Sequence, residues 1–464
     1  MPDGPPPSDG FVHRLLHGSI AAFIVYGMGA GLTYLSQLVI ARAIGADSYG
    51  IYAYVMAWAT ILAYFAALGF DVSLLRLVPA YRAQQAWGLL CGVIANAQRW
   101  VTAAGFATVL AGAVTVTLIV SVSRETTETF LIGLLLVPIW ALLWVRASVA
   151  RAFGGVVSAL APDRLVRDGL VFSIVGLASL AHWRQMDAPF AMMVTLAASV
   201  AGLGLVSVAV RRLRPPALNS IKPEYDTRTW RRVALPLVLI AVAETAMNRT
   251  GIVLFGWMGH TKEAGIFALA FNVTALALLP RMAVNALLAP MVSELFVKGS
   301  RTGLQDLVTK ASLGTFLGAT AVAVPLALLA DPLLAWFGPD FAPGAPALRV
   351  LLAGQVAAGA AGSQLFFMTM TGHERAAAVI LVLCVLANCM LSVPLMIMFG
   401  LIGAAVASSA MLMVWNVAMA FFVWRRLHLV PGILTIFPRV ALATMARQKA
   451  AVAPAVQPPG SGVR

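Results

Sequence analysis

Four polar side chains stand where a hydrocarbon environment would penalise them. Glu244, Asn248 and Arg249 interrupt the apolar run PLVLIAVAETAMNRTGIVLFGW, and Arg281 interrupts FNVTALALLPRMAVNALLAP. An ionisable group in mid-membrane costs about 2.5 to 3.5 kcal/mol on insertion scales, so it is kept where it faces protein or a wet cavity. There a guanidinium offers paired N–H donors to an anion such as a phosphate. The bland alternative is that Glu244 neutralises an arginine across a helix interface. At 100° per residue Glu244 and Arg249 lie about 140° apart around one helix and do not share a face, which leaves inter-helix pairing with Arg281 open.

Weaker candidates surround these. Gln37, Tyr26 and Tyr34 in the first apolar run, Tyr54 and Trp58 in the second, Asn272 in the eighth, and Gln355 and Gln364 in the tenth could meet a sugar by ring stacking and amide hydrogen bonds. Tyr and Trp near helix ends are more often interfacial anchors, and isolated amides more often join helices. Arg146, with Arg151 in LLWVRASVARAFGG, could draw an anion towards a vestibule or simply snorkel to the interface. Gly27, Gly29 and Gly31 permit close helix approach or bending.

Enzymatic chemistry finds little support. The six histidines, His13, His17, His182, His260, His373 and His428, are scattered, with no HExxH, no cysteine partner and no paired carboxylates, so neither a metal site nor a cofactor is expected. A GxxxxGK[ST] phosphate loop is missing too. Cys91, Cys384 and Cys389 sit in or beside apolar runs and read as small core residues.

The elements that must hold these groups follow from composition. Of 464 residues 61% are hydrophobic and 11% charged, and the mean hydropathy is +0.89, far from a soluble domain. The expected fold is all-α: a polytopic membrane protein with twelve transmembrane helices in two six-helix lobes around a central cavity. Six apolar runs of about 20 residues fall within 17–210 and six within 233–428, joined by a basic linker at 211–232. Residues 1–16 read as a disordered cytoplasmic tail, too Pro-rich and polar for a signal peptide, and 429–464 as a cytoplasmic tail, partly interfacial or disordered. With loops assigned alternately to the two sides, 25 of the 32 Lys and Arg fall on the side of the N-terminus and five on the other, leaving Arg249 and Arg281 within the membrane. By the positive-inside rule both termini are cytoplasmic. The formal net charge of +14 is then spent on topology and anionic lipids, and no nucleic acid is expected as a partner.

The halves echo each other locally: Gly50, Ile51, Tyr52 and Ala53 open one helix as Gly265, Ile266, Phe267 and Ala268 open another. ARAIGADSYGIYAY with LGFDVSLLRLVPAY resembles the first helical hairpin of the polysaccharide flippases in the multidrug, oligosaccharidyl-lipid and polysaccharide exporter superfamily. NALLAPMVSELFVKG, LLAWFGPDFAPGAPALRVLLAG and FGLIGAAVASSAMLMVWN resemble later helices of the same group. The resemblance implies a two-lobed transporter of the bacterial inner membrane whose cavity opens alternately to either side. It implies as partners a lipid-linked oligosaccharide on a polyprenyl diphosphate, membrane lipids, a coupling proton or sodium ion, and polysaccharide assembly proteins. On this reading Arg249 and Arg281 are the cavity cations, with Glu244, Asn248, Asn272, Gln37 and Arg146 as further polar groups. The alternatives are a cation-coupled multidrug antiporter of the same fold and, less favoured, a membrane glycan polymerase.

Overall fold

The computed structural model describes residues 9–118, 123–183, 186–215, 218, 220–285, 288, 301–427, 430 and 432, with side chains described from Ile24 onward except at 301 and 302. All regular structure among these residues is helical. In chain order the helices are α1 (Asp9–Ala67), α2 (Phe70–Ala83), α3 (Trp87–Leu118), α4 (Arg124–Ala152), α5 (Val156–Ala161), α6 (Arg167–Leu180) and α7 (Ala188–Leu213). The second half follows with α8 (Thr227–Trp257), α9 (Thr261–Thr274), α10 (Arg301–Leu328), α11 (Ala330–Ala335), α12 (Ala345–Ala361), α13 (Gln364–Met370) and α14 (Glu374–Leu427). Several starts carry the expected caps. The Ser123 hydroxyl accepts from Thr126 N, Asp187 from Phe190 N and Asp226 from Thr229 N. The Thr229 hydrogen bonds also hold the Asp226 carboxyl below its usual range.

Nine segments are long and apolar enough to cross a membrane, and two of them, of 60 and 53 residues, are far too long to cross once. Both fold back at a glycine. Gly45 leaves the helical region (φ 76°, ψ 173°), and the Tyr49 hydroxyl then donates to Gln37 Oε1 at 2.7 Å, two positions that a straight helix would hold about 18 Å apart. Gly400 (φ 55°, ψ −129°) does the same in α14, where a Cβ on Gly403 would fall 1.8 Å from the Leu395 carbonyl oxygen. With these turns, and with α5 to α6 forming one interrupted crossing, the architecture is compatible with twelve crossings. The first helix starts at Asp9, inside the stretch expected to be a tail, whereas residues 1–8, 433–464 and most of NALLAPMVSELFVKG lie outside the described residues.

The two halves meet along the second limb of α1. A single apolar cluster with Ala46, Tyr49, Ile266, Phe267, Phe337 and Phe341 seals them at the end that carries the Gly45 and Gly400 turns. Gly50 and Gly265, which echo each other in sequence, touch: a Cβ on Gly265 would lie 3.0 Å from the Gly50 Cα. Arg42 Nε donates to the Trp336 carbonyl at 2.6 Å at this same end. At the opposite end α2 approaches α8 so closely that a Cβ on Gly69 would lie 2.4 Å from the Ala234 carbonyl oxygen. Trp230 Nε1 donates to the Tyr81 hydroxyl at 2.9 Å, and Arg76 pairs with Glu374 at 2.5 Å. Of Gly27, Gly29 and Gly31 in α1, only Gly29 has a close neighbour, Arg164; Gly27 and Gly31 face open space.

The assignment of sides is open to a direct test. Lys222 is exposed in the linker, and Lys262, whose side chain is 43% exposed, bonds Asp340 at 2.7 Å at the other end. In a variant lacking Cys91, Cys384 and Cys389, Lys262→Cys in intact cells should react with an impermeant thiol reagent and Lys222→Cys should not. The reverse pattern would place both termini outside.

Candidate functional site

Helix interruptions are tolerated at membrane depth where the freed backbone groups are buried in protein or line a cavity. Among the breaks in this chain are those at Leu68 and Gly69 (φ 52° and 73°), the π-helical turn Pro162–Val166, the 3-10 turn Ala275–Leu278, and Gly362 (φ 85°). Asp163 and Arg164 of the π-helical turn line one of two chambers between the lobes, Leu278 and Gly362, with Asp71 shortly after Gly69, line the other, and Tyr64 lines both.

The first chamber has a volume of about 270 Å³. On one wall Arg167 reaches Asp163 Oδ1 at 2.7 Å and Asp168 Oδ1 at 2.8 Å, while the Thr33 hydroxyl donates to the other oxygen of Asp168. Two carboxylates thus share one guanidinium, with Arg164 a further 3.8 Å contact for Asp163. Trp140, Trp144 and Tyr64 form an aromatic row beside them: Tyr64 stacks on Trp144 with centroids 4.3 Å apart, Trp140 follows at 6.1 Å, and the Arg167 guanidinium lies over Trp140. Gln37 accepts from Tyr49, whose hydroxyl also faces Asn272. Arg249 enters from α8, a helix of the second half, among the phenols of Tyr49 and Tyr64. Among the described residues no carboxylate pairs with it.

The second chamber, of about 730 Å³, is lined by Glu244, Asn248 and Arg281 together with Asp71, Gln364 and Trp415. Glu244 and Arg281 act on each other electrostatically without a direct ion pair among the described residues. Five buried polar atoms around this space have no hydrogen-bond partner among the described residues: Asp71 Oδ1, Asn285 Oδ1, Ser363 Oγ, Gln364 Oε1 and Trp415 Nε1. Orphaned groups of this kind cost about 1 to 3 kcal/mol each unless water or a ligand meets them. They mark the chamber as a space suited to a polar occupant.

The structure therefore divides the expected residues. Glu244, Asn248 and Arg281 share one chamber, and Gln37, Asn272 and Arg249 the other. Arg146 belongs to neither: its Nη1 donates to the Ser207 hydroxyl on α7. Tyr54 packs against Phe130 rather than into a cavity. Sequence reasoning misses the Asp163, Arg167 and Asp168 cluster, because PDRLVRD reads as the polar edge of a helix and Arg164 and Arg167 fall among the loop cations. The available signal is Pro162 followed by four charges at 163, 164, 167 and 168 within a run otherwise apolar on both sides.

A family model described as a polysaccharide biosynthesis protein matches residues 15–296. No curated protein matches the chain. Among solved structures, an inward-facing multidrug resistance MATE family transporter of the MOP superfamily aligns with TM-score 0.70 at 16% identity, over 88% of this chain and 98% of its own. A MATE in complex with MaL6 aligns with TM-score 0.60 at 13% identity, over 94% and 97%. A MATE in the bent conformation aligns with TM-score 0.59 at 14% identity, over 94% and 96%. At these identities the likeness is one of fold.

Proposed function

The chain belongs to the polysaccharide biosynthesis protein family, and from that premise we propose that this membrane transporter is a flippase. It carries a polyprenyl-diphosphate-linked oligosaccharide from the cytoplasmic to the periplasmic face of the bacterial inner membrane by alternating access. The product feeds assembly of a surface polysaccharide. The observation that carries the reading is Arg249. A guanidinium in mid-membrane, drawn from one half of the chain into the chamber of the other and left without a carboxylate among the described residues, supplies what a diphosphate needs on leaving water. The row of Tyr64, Trp140 and Trp144 beside it offers flat faces on which sugar rings stack.

A cation-coupled drug antiporter is the second reading, and Asp163 and Asp168 favour it, since buried carboxylates in one lobe suit a coupling ion and a cationic drug. Their shared contact with Arg167 already neutralises much of that charge, which supports the anionic cargo. Reconstitution in liposomes separates the two. A fluorescent polyprenyl-diphosphate glycan should lose its protection from an impermeant quencher faster with the protein than without it, and a cationic dye should not be driven across by a proton or sodium gradient. Dye transport without glycan movement would replace the flippase reading.

A further inference from the structure

Outside the chambers, α8 and the first limb of α14 leave an apolar groove on the lipid-facing surface, with a volume of about 520 Å³. Leu235, Leu239, Val379 and Leu383 line its length with largely exposed side chains. Arg232 and Arg375 stand at its end, the end given to the cytoplasm by the loop cations. Among the described residues neither guanidinium has a hydrogen bond or ion pair. Two unpaired cations over a hydrocarbon slot match one kind of molecule, an amphiphile with an anionic head and a long apolar tail.

The groove is not isolated. Arg232, Pro236 and Arg375 also line a neighbouring space of about 470 Å³, which ends on Arg76 and Glu374. Arg76 in turn lines the second chamber. The groove, this space and the second chamber thus adjoin in series, sharing Arg232, Pro236 and Arg375 and then Arg76, with the Arg76 and Glu374 ion pair before the chamber of Glu244 and Arg281.

Resting on the flippase reading, we propose that this groove is where the polyprenyl diphosphate carrier docks before transport, with its tail along α8 and α14 and its diphosphate on Arg232 and Arg375. Two guanidiniums suit two adjacent phosphates better than the single phosphate of a phosphatidyl lipid, and the spaces that adjoin the groove lie on the way to the chamber. The tail stays in the bilayer throughout, so only the polar head passes the ion pair.

A photoreactive amino acid placed at Val379 tests this in nanodiscs of neutral phosphatidylcholine, with radiolabelled undecaprenyl diphosphate as the probe. The control position is Val208, a lipid-facing residue of α7 that is 45% exposed. Labelling at 379 should exceed that at 208 by about tenfold and fall about tenfold in Arg232→Gln/Arg375→Gln, the scale of losing one charge-assisted contact or more. It should persist in Arg232→Lys/Arg375→Lys, which shows that folding is not the cause. Equal labelling at both positions, labelling that survives the double Gln change, or its displacement by equimolar phosphatidylglycerol would overturn the proposal. Dye transport without glycan movement in the liposomes would instead refute the flippase reading while leaving the crosslink intact.

Discussion

Arg249→Gln is expected to abolish export of cell-surface polysaccharide while leaving folded protein in the membrane. The residue has no carboxylate partner among the described residues to leave stranded, so its removal exposes no buried opposite charge. What disappears is the donor pair for the diphosphate, worth about 1.5 to 3 kcal/mol for a charge-assisted hydrogen bond, or roughly tenfold to a hundredfold in binding. Arg249→Lys should recover part of that, because it restores the charge but not the planar two-point donor. Export is measured beside membrane expression, and full export by Arg249→Gln would end the assignment.

Arg281 behaves differently because Glu244 shares its chamber. Removing either alone leaves an uncompensated charge in a partly buried space, which destabilises the fold whatever the residue does in transport. Arg281→Gln should therefore lower both stability and export. Combining it with Glu244→Gln should return the stability, since neither charge is then left alone, but not the export. Recovery of both together would reduce Arg281 to a partner of Glu244.

The polytopic class is legible in the sequence because hydropathy reports directly on the bilayer, and the same apolar runs single out Glu244, Arg249 and Arg281. The angular argument carries further than the assignment of any single residue. About 140° separates Glu244 from Arg249 on one helix, and the fold uses that angle to present the two to different chambers. What pattern alone does not reach is set by packing between distant segments. Tyr64, Trp140 and Trp144 become a row only when the second limb of α1 crosses α4. Asp163 and Arg167 pair at ordinary i,i+4 spacing with Asp168 adjacent, but only packing beside Trp140 and Tyr64 makes the cluster a chamber wall. The pairing of Gly50 with Gly265 is visible as a repeat, yet nothing in a repeat says that its two copies touch.

That contact sets the other large effect. Gly50→Ala puts a Cβ 1.7 Å from the Thr261 carbonyl oxygen and 2.6 Å from its carbon, and a backbone group has no rotamer to move. The second limb of α1 and the start of α9 must then separate by about an ångström or more, which opens the apolar cluster that seals the lobes. Overpacking typically costs about 1 to 3 kcal/mol, and a clash against backbone belongs at the top of that range. Gly265→Ala should act in the same direction, with the Ala46 carbonyl oxygen 2.8 Å and Gly50 N 2.9 Å from its Cβ. Gly27→Ala is the control. Nothing lies within 4 Å of its Cβ, so the loss of glycine's backbone entropy should leave stability unchanged or raise it by about 0.5 to 1 kcal/mol. Thermal unfolding in detergent reads all three. A melting temperature for Gly50→Ala equal to that of the parent would mean that the two helices do not meet there. A fall of several degrees for Gly50→Ala, with none for Gly27→Ala, would place the lobe contact at the paired glycines.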